Sequence, residues 1–230
     1  MAQVLAIVLY VLALRPDPLL LAQRVVAAAR SSATAIAKPD DPRVARYAMF
    51  AIAAAHGVMV SVMAMTPVHL IHHGASLSII GLTISLHIAG MFALSPVFGV
   101  LADRFGRVPT IMIGQALLAA ALVTASFGQE STVAVTVALV LLGLGWSATT
   151  VSGSTLLTEA SSEAMRTRRQ GVSDLIMSLV GAAGAILAGV VLSQIGYGGL
   201  ALAVGVAVIA TVLLSPLARP AKPVAVSLDG

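Results

Sequence analysis

Cysteine is absent from this 230-residue chain, and charge is scarce: only 10% of residues are Asp, Glu, Lys or Arg. Without cysteine there is no disulfide framework, no thiolate nucleophile and no cysteine metal site. Soluble domains carry about 25% charged residues, so this chain has too few polar groups to cover a water-facing surface. Aromatic residues are also sparse, at 4% with a single Trp. What fills the composition is apolar: 59% hydrophobic residues and a mean hydropathy of +1.02. The solvent such a chain suits is lipid, and the expected fold class is an all-α, polytopic membrane helix bundle.

The 13 basic residues give a net charge of +4. In a soluble protein that excess would suggest nucleic acid. Here the basic residues cluster between apolar runs, so membrane topology explains them and no nucleic-acid partner is expected. Met1 to Leu14 is apolar but lacks the basic start of a signal peptide. As a helix it would be about 21 Å long, short of the roughly 30 Å hydrocarbon core. It is read as the end of a truncated transmembrane helix. Residues 15–45 follow as a polar linker with prolines at 16, 18, 39 and 42. Six fuller apolar segments come next, at 46–66, 75–98, 109–127, 133–156, 171–194 and 197–215. Each is near the ~20 residues of a spanning helix. The tail, 216–230, holds three prolines and is read as a cytoplasmic extension.

Every Lys and Arg falls in alternate connections: before the first segment, after the second, after the fourth and after the sixth. The remaining connections carry His69, His72 and His73, then Gln129 and Glu130, then the stretch from Gln194 to Gly199. The positive-inside rule places the linker, the basic turns and both ends of the 46–215 bundle on the cytoplasmic side of a cell membrane. Segments 109–127 and 197–215 have few polar side chains and are expected to be lipid-facing supports. The other four carry polar or small residues at helical spacing, such as His56, Met59, Met63 and Thr66, or Gly171, Asp174, Ser178 and Gly181. Small residues allow close helix contact, and polar side chains inside lipid need partners.

The connection after the second segment is the most specific pattern in the chain. It reads Gly99-x-Leu101-Ala102-Asp103-Arg104-x-Gly106-Arg107, expected as a charged turn between two helices. This pattern resembles the signature loop of the major facilitator superfamily, with Val108 where that family carries a further basic residue. The resemblance implies two six-helix halves joined by a cytoplasmic linker, with a substrate path between them. It identifies residues 46–215 as similar to the C-terminal half, lacking the N-terminal half unless a partner half or self-association supplies it. It implies no cofactor and no enzyme activity. The implied function is secondary transport of a small organic molecule, similar to proton-coupled drug exporters. The alternative is a truncated membrane protein that does not transport, or a half-transporter that needs its other half.

The resemblance also implies a conformational role for Gly99, Asp103, Arg104, Gly106 and Arg107. Glu159, which ends the fourth segment, is the expected partner of Arg107. The start of the fifth segment, near Gln170 and Gly171, is the expected partner of Asp103. Candidate substrate or proton groups are His56, Met63, His87, Trp146, Thr150, Asp174 and Ser178. Several have a second reading. Asp174 either binds a proton or cationic substrate, or caps its helix and pairs with Arg166 or Arg169. His56 and His87 are either relay groups or neutral histidines bonded to a neighbouring helix. Trp146 either stacks on an aromatic substrate or packs. No glycine-rich nucleotide loop followed by Lys and Ser or Thr occurs, so ATP drive is not expected, and no metal is expected at His69-x-x-His72-His73.

Overall fold

The structure is a computed structural model and describes residues 40–218. The expected helix end at 1–14, nearly all of the 15–45 linker and the tail after residue 218 lie outside the described residues. Among the described residues every regular element is a helix.

Helix α1, Pro42–His72, starts where Asp41 accepts hydrogen bonds from the Arg43 and Val44 amides at 3.1 and 3.2 Å, with Pro42 in the first turn. Helix α2, Leu77–Phe92, starts on Ser76, whose hydroxyl accepts from the Ile79 amide. Two residues later the chain resumes as α3, Ser95–Phe105, and α2 and α3 together make one apolar crossing. Helix α4 is Arg107–Phe127, and α5, Thr132–Ala160, is capped by Ser131. Helix α6, Glu163–Leu213, precedes a short 3-10 turn at Ser215–Ala218.

As a straight rod, the 51 residues of α6 would reach about 76 Å, more than twice the roughly 30 Å apolar core of a bilayer. The chain instead breaks at Gly196, with φ 72° and ψ 179°, a backbone state that favours glycine. Before the break, Gly181 lies against His56 and Gly184 against Ser61, so this run climbs alongside α1. After it, Tyr197 meets Thr66 near the far end of α1, and Leu214 returns to the level of Arg43 and Tyr47. The two runs are therefore antiparallel, and the five apolar stretches long enough to span a membrane make six runs among the described residues.

Helix α5 is the post of this bundle. It packs against α1, α2 and α4, and the contacts are close because glycines sit in them. A Cβ on Gly143 would lie 2.5 Å from the His87 carbonyl oxygen of α2, and one on Gly114 of α4 would lie 2.9 Å from the Gly145 carbonyl oxygen. Lipid gives helices no hydrophobic reason to associate, so such packing and interhelical hydrogen bonds hold them. The bonds run to the same helix: Gln115 donates to the Thr149 hydroxyl at 3.1 Å, Thr83 meets Thr136 at 2.8 Å, and Ser95 meets Ser147 at 3.0 Å. Leu118, Leu122, Leu139, Leu142, Val58 and Val62 fill the main core.

Exposure differs from the expectation based on polar content. The most apolar window of α4 is 44% buried, whereas that of α6 is 11% buried. Segment 109–127 is thus an internal support held by Gln115, and the segment with the small stripe, 171–194, is the most exposed. The two ends of the bundle also differ. The end with the histidines is closed by a network in which the His69 ring donates from Nε2 to the Gln129 carbonyl at 2.7 Å and stacks on Tyr197 at 4.3 Å. Gln129 in turn accepts from the Gly198 amide at 2.9 Å, tying the Gly196 turn to the α4–α5 connection. His73 lies 3.3 Å from Glu130 beside it.

Replacing Gly114 by Ala should destabilise the bundle by about 1–3 kcal/mol through overpacking, because its Cβ would lie 2.3 Å from Thr149 Oγ1. Gly81→Ala, with nothing within 4 Å of the new Cβ, should be neutral or stabilising. Thermal melting of both variants in one detergent measures the contrast; equal melting would refute close contact at α4–α5.

Candidate functional site

The corner expected as a turn is mostly helix. Gly99 through Phe105 belong to α3, and the reversal is compressed into Gly106, with φ 97°. That φ explains why glycine is needed at 106. Gly99 shows no comparable need, since nothing lies within 4 Å of a Cβ built there.

Because the reversal takes one residue, Asp103 in the last turn of α3 and Arg107 at the start of α4 come face to face at 2.5 Å. On its other side, Arg107 donates to Glu159 of α5 from Nε at 3.2 Å and from Nη2 at 2.8 Å. The guanidinium is planar and presents several donors in a fork, so it can serve two carboxylates at once. Arg107 is half-buried while both acids remain accessible. The expected partnership of Arg107 with Glu159 is therefore present in the geometry. The expected partner of Asp103 is not: α6 begins at Glu163, well before Gln170, and Asp103 turns to Arg107. Arg104 is exposed.

A second cluster at the same end went unread in the sequence, because Asp40 sits in what looks like linker. Its carboxylate accepts from the Ser162 amide at 2.9 Å and pairs with Arg169 at 2.5 Å. Arg169 also donates to the Ala160 carbonyl and the Ser161 hydroxyl. The Ser162 amide above all, with help from the Arg169 guanidinium, holds Asp40 below the usual carboxylate range against the opposing effect of burial. A carboxylate lowered in this way supports the fold above its ordinary pKa, and that support fades as pH falls through the lowered value. Asp41 adds a backbone bond to the Ala160 carbonyl at 2.9 Å. The end of α5 thus touches both acidic clusters.

Within the apolar span, His56 and Trp146 are brought together. The Trp146 indole N–H donates to His56 Nδ1 at 3.2 Å, which leaves the ring proton on Nε2, facing Gly181. Phe92 of α2 meets Trp146 edge-on at 6.0 Å, an aromatic neighbour that sequence reading missed. Thr150 lies one turn further along α5, with its hydroxyl buried and unpartnered among the described residues. Met63 packs half-buried against the main core. His87 stands apart: fully buried, it donates from Nδ1 to the Leu139 carbonyl at 2.7 Å, the geometry of a histidine bonded to a neighbouring helix. Asp174 and Ser178 lie on the exposed run of α6. Asp174 accepts from Gln170 at 3.3 Å instead of pairing with Arg166 or Arg169, and Ser178 donates to the Asp174 carbonyl at 2.8 Å.

The sequence pattern that defines the Major Facilitator Superfamily matches residues 44–229. The chain is 43% identical over 141 residues to the uncharacterised MFS-type transporter YddS of Bacillus subtilis, covering 61% of this chain and 32% of that protein. It is 36% identical over 211 residues to the uncharacterised MFS-type transporter YdeG of the same organism, covering 89% of this chain and 49% of that protein. It is 30% identical over 142 residues to the riboflavin transporter RfnT of Brucella anthropi, covering 62% of this chain and 35% of that protein. The chain thus spans at most about half the length of these relatives. Its helices are long and apolar enough to cross a membrane several times, and with most of its length matched by the family's own pattern, the chain belongs to the Major Facilitator Superfamily.

Proposed function

We propose that the chain forms the C-terminal half of a proton-driven permease for a small organic molecule, of the drug-efflux type, in the bacterial cell membrane. The basic end, with Arg107 and Arg169, faces the cytoplasm, and the histidine end faces outward. The observation that carries this reading is the Arg107 fork between Asp103 and Glu159. It ties the α3–α4 corner to the end of α5, and tilting of α3 and α4 against α5 would separate the two carboxylates. Such a contact is stable in one state of a rocking carrier and lost in the other. The sparse burial of α2 and of the first run of α6 supports a second six-helix unit, or a second copy, packed along that side. His56, Phe92 and Trp146 sit between these helices, where planar apolar groups can stack. The name of RfnT supports a small organic substrate with such a group. Asp174, exposed on the same run, is the proposed proton carrier.

Transport by the chain together with its other half, in proteoliposomes, tests the reading. Arg107→Ala and Glu159→Gln should each lower flux about tenfold, the scale of a lost conformational coupling, at unchanged membrane abundance. Arg104→Ala should leave flux within about twofold, since that side chain is exposed. Wild-type flux in Arg107→Ala would remove the switch, and no flux in any form would favour a membrane protein that does not transport. Asp174→Asn should make flux insensitive to an imposed pH gradient; retained acceleration by the gradient would move the proton site elsewhere.

A further inference from the structure

At the basic end of the bundle, the start of α1 and the residues that follow α6 line a half-open cavity of about 420 Å³, with Arg43, Arg46, Tyr47, Phe50, Leu214 and Leu217 in its wall. Its mouth is cationic and its walls are apolar. Below it, a second cavity of about 420 Å³ begins at the same Arg46 and Phe50 and runs inward past Ala53, Val180 and Ala207. The two form an amphipathic slot at the level where a membrane helix leaves the hydrocarbon.

Three features of this slot have no use in the helix packing already described. Arg43 and Arg46 are exposed, and no carboxylate pairs with either among the described residues; Arg46 donates from Nε to the Pro42 carbonyl at 3.1 Å, which leaves its two terminal nitrogens for a ligand. The acids next to them in sequence are engaged elsewhere, Asp41 on the amides of Arg43 and Val44 and Asp40 on Ser162 and Arg169. Tyr47 is 2% exposed, yet its hydroxyl has no hydrogen-bond partner among the described residues. A buried polar group left unpaired is costly, so an acceptor arriving from outside would satisfy it. Two guanidiniums and one phenolic donor around a cavity fit a phosphate, and the apolar slot leading from them fits an acyl chain.

We propose that this slot binds one anionic phospholipid, with its phosphate between Arg43, Arg46 and the Tyr47 hydroxyl and an acyl chain along Phe50 toward Val180 and Ala207. Charge complementarity selects the lipid: basic pockets between transmembrane helices attract anionic headgroups. Arg219 and Lys222, which follow Ala218 in the sequence, add positive charge close by in the chain. The bound lipid bridges the start of α1 and the end of α6. The site does not depend on the transport reading.

Native mass spectrometry of the full chain, released from detergent with added phosphatidylglycerol or phosphatidylcholine, tests the proposal. The wild type should retain one phosphatidylglycerol, about tenfold more than phosphatidylcholine. Arg43→Ala/Arg46→Ala should abolish that preference. Tyr47→Phe should lower retention severalfold at an unchanged melting temperature, which separates the hydroxyl from any packing defect. Arg168→Ala, an exposed arginine outside the slot, should change nothing. Equal retention of the two lipids, or unchanged preference in the double variant, would overturn the proposal. Displacement by inorganic phosphate would make it a free-anion site. Gain of lipid on deleting residues 219–230, or a dimer lost in the double variant, would assign the slot to the tail or to a second copy.

Discussion

Lipid offers helices nothing to hide from, so this bundle depends on how closely its members can approach α5. Gly143 and Gly145 on that helix, with Gly114 opposite, remove the side chains that would hold backbones apart. The short distance then brings Gln115, Thr83 and Ser95 within hydrogen-bonding reach of α5. These two effects reinforce each other, since a polar contact in lipid has value only where geometry lets it form. Both ends of the bundle are fastened at the same helix. Glu159 and Ala160 hold the arginine and aspartate clusters, and Gln129, just before α5, holds His69 and Gly198.

Much of this was legible in the sequence. Long apolar runs and the alternation of basic and non-basic connections depend on local composition, which lipid constrains strongly. The pairing of Arg107 with Glu159 was accessible because the family resemblance implies a link from the corner to a neighbouring helix end, and Glu159 ends the fourth segment. Other features were not legible because they depend on long-range fit. Gln115 looks like a stray amide in a lipid-facing helix until Thr149 is placed opposite it. Asp40 looks like linker until the start of α6 is seen to reach it. Asp103 was assigned to the start of the fifth segment, but the single-residue reversal at Gly106 delivers it to Arg107 first. The small and polar stripe around Asp174 was expected to meet helix neighbours, whereas Asp174 and Ser178 are exposed, and polarity alone does not distinguish an internal face from one that meets another half.

The two charged clusters divide the basic end between them. Asp40, Ser162 and Arg169 tie the approach to α1 to the α5–α6 connection, while Asp103, Arg107 and Glu159 tie the α3–α4 corner to α5. In the first, backbone groups take part, so it acts as a fixed joint. The second is made of side chains alone, with both acids accessible to water, and it can open without unwinding a helix. That contrast is the physical basis for placing the moving contact at Arg107.

The central claim is a path of six crossings, doubled back at Gly196, with the arginine fork on the inner side. Because the chain has no cysteine, single cysteines can be introduced at His72, Arg104, Glu130, Arg166 and Gln194 and probed with a membrane-impermeant maleimide on intact cells. The account predicts labelling from outside at 72, 130 and 194, and labelling at 104 and 166 only after permeabilisation. External labelling at 104, or protection at 194 until the membrane is opened, would contradict it.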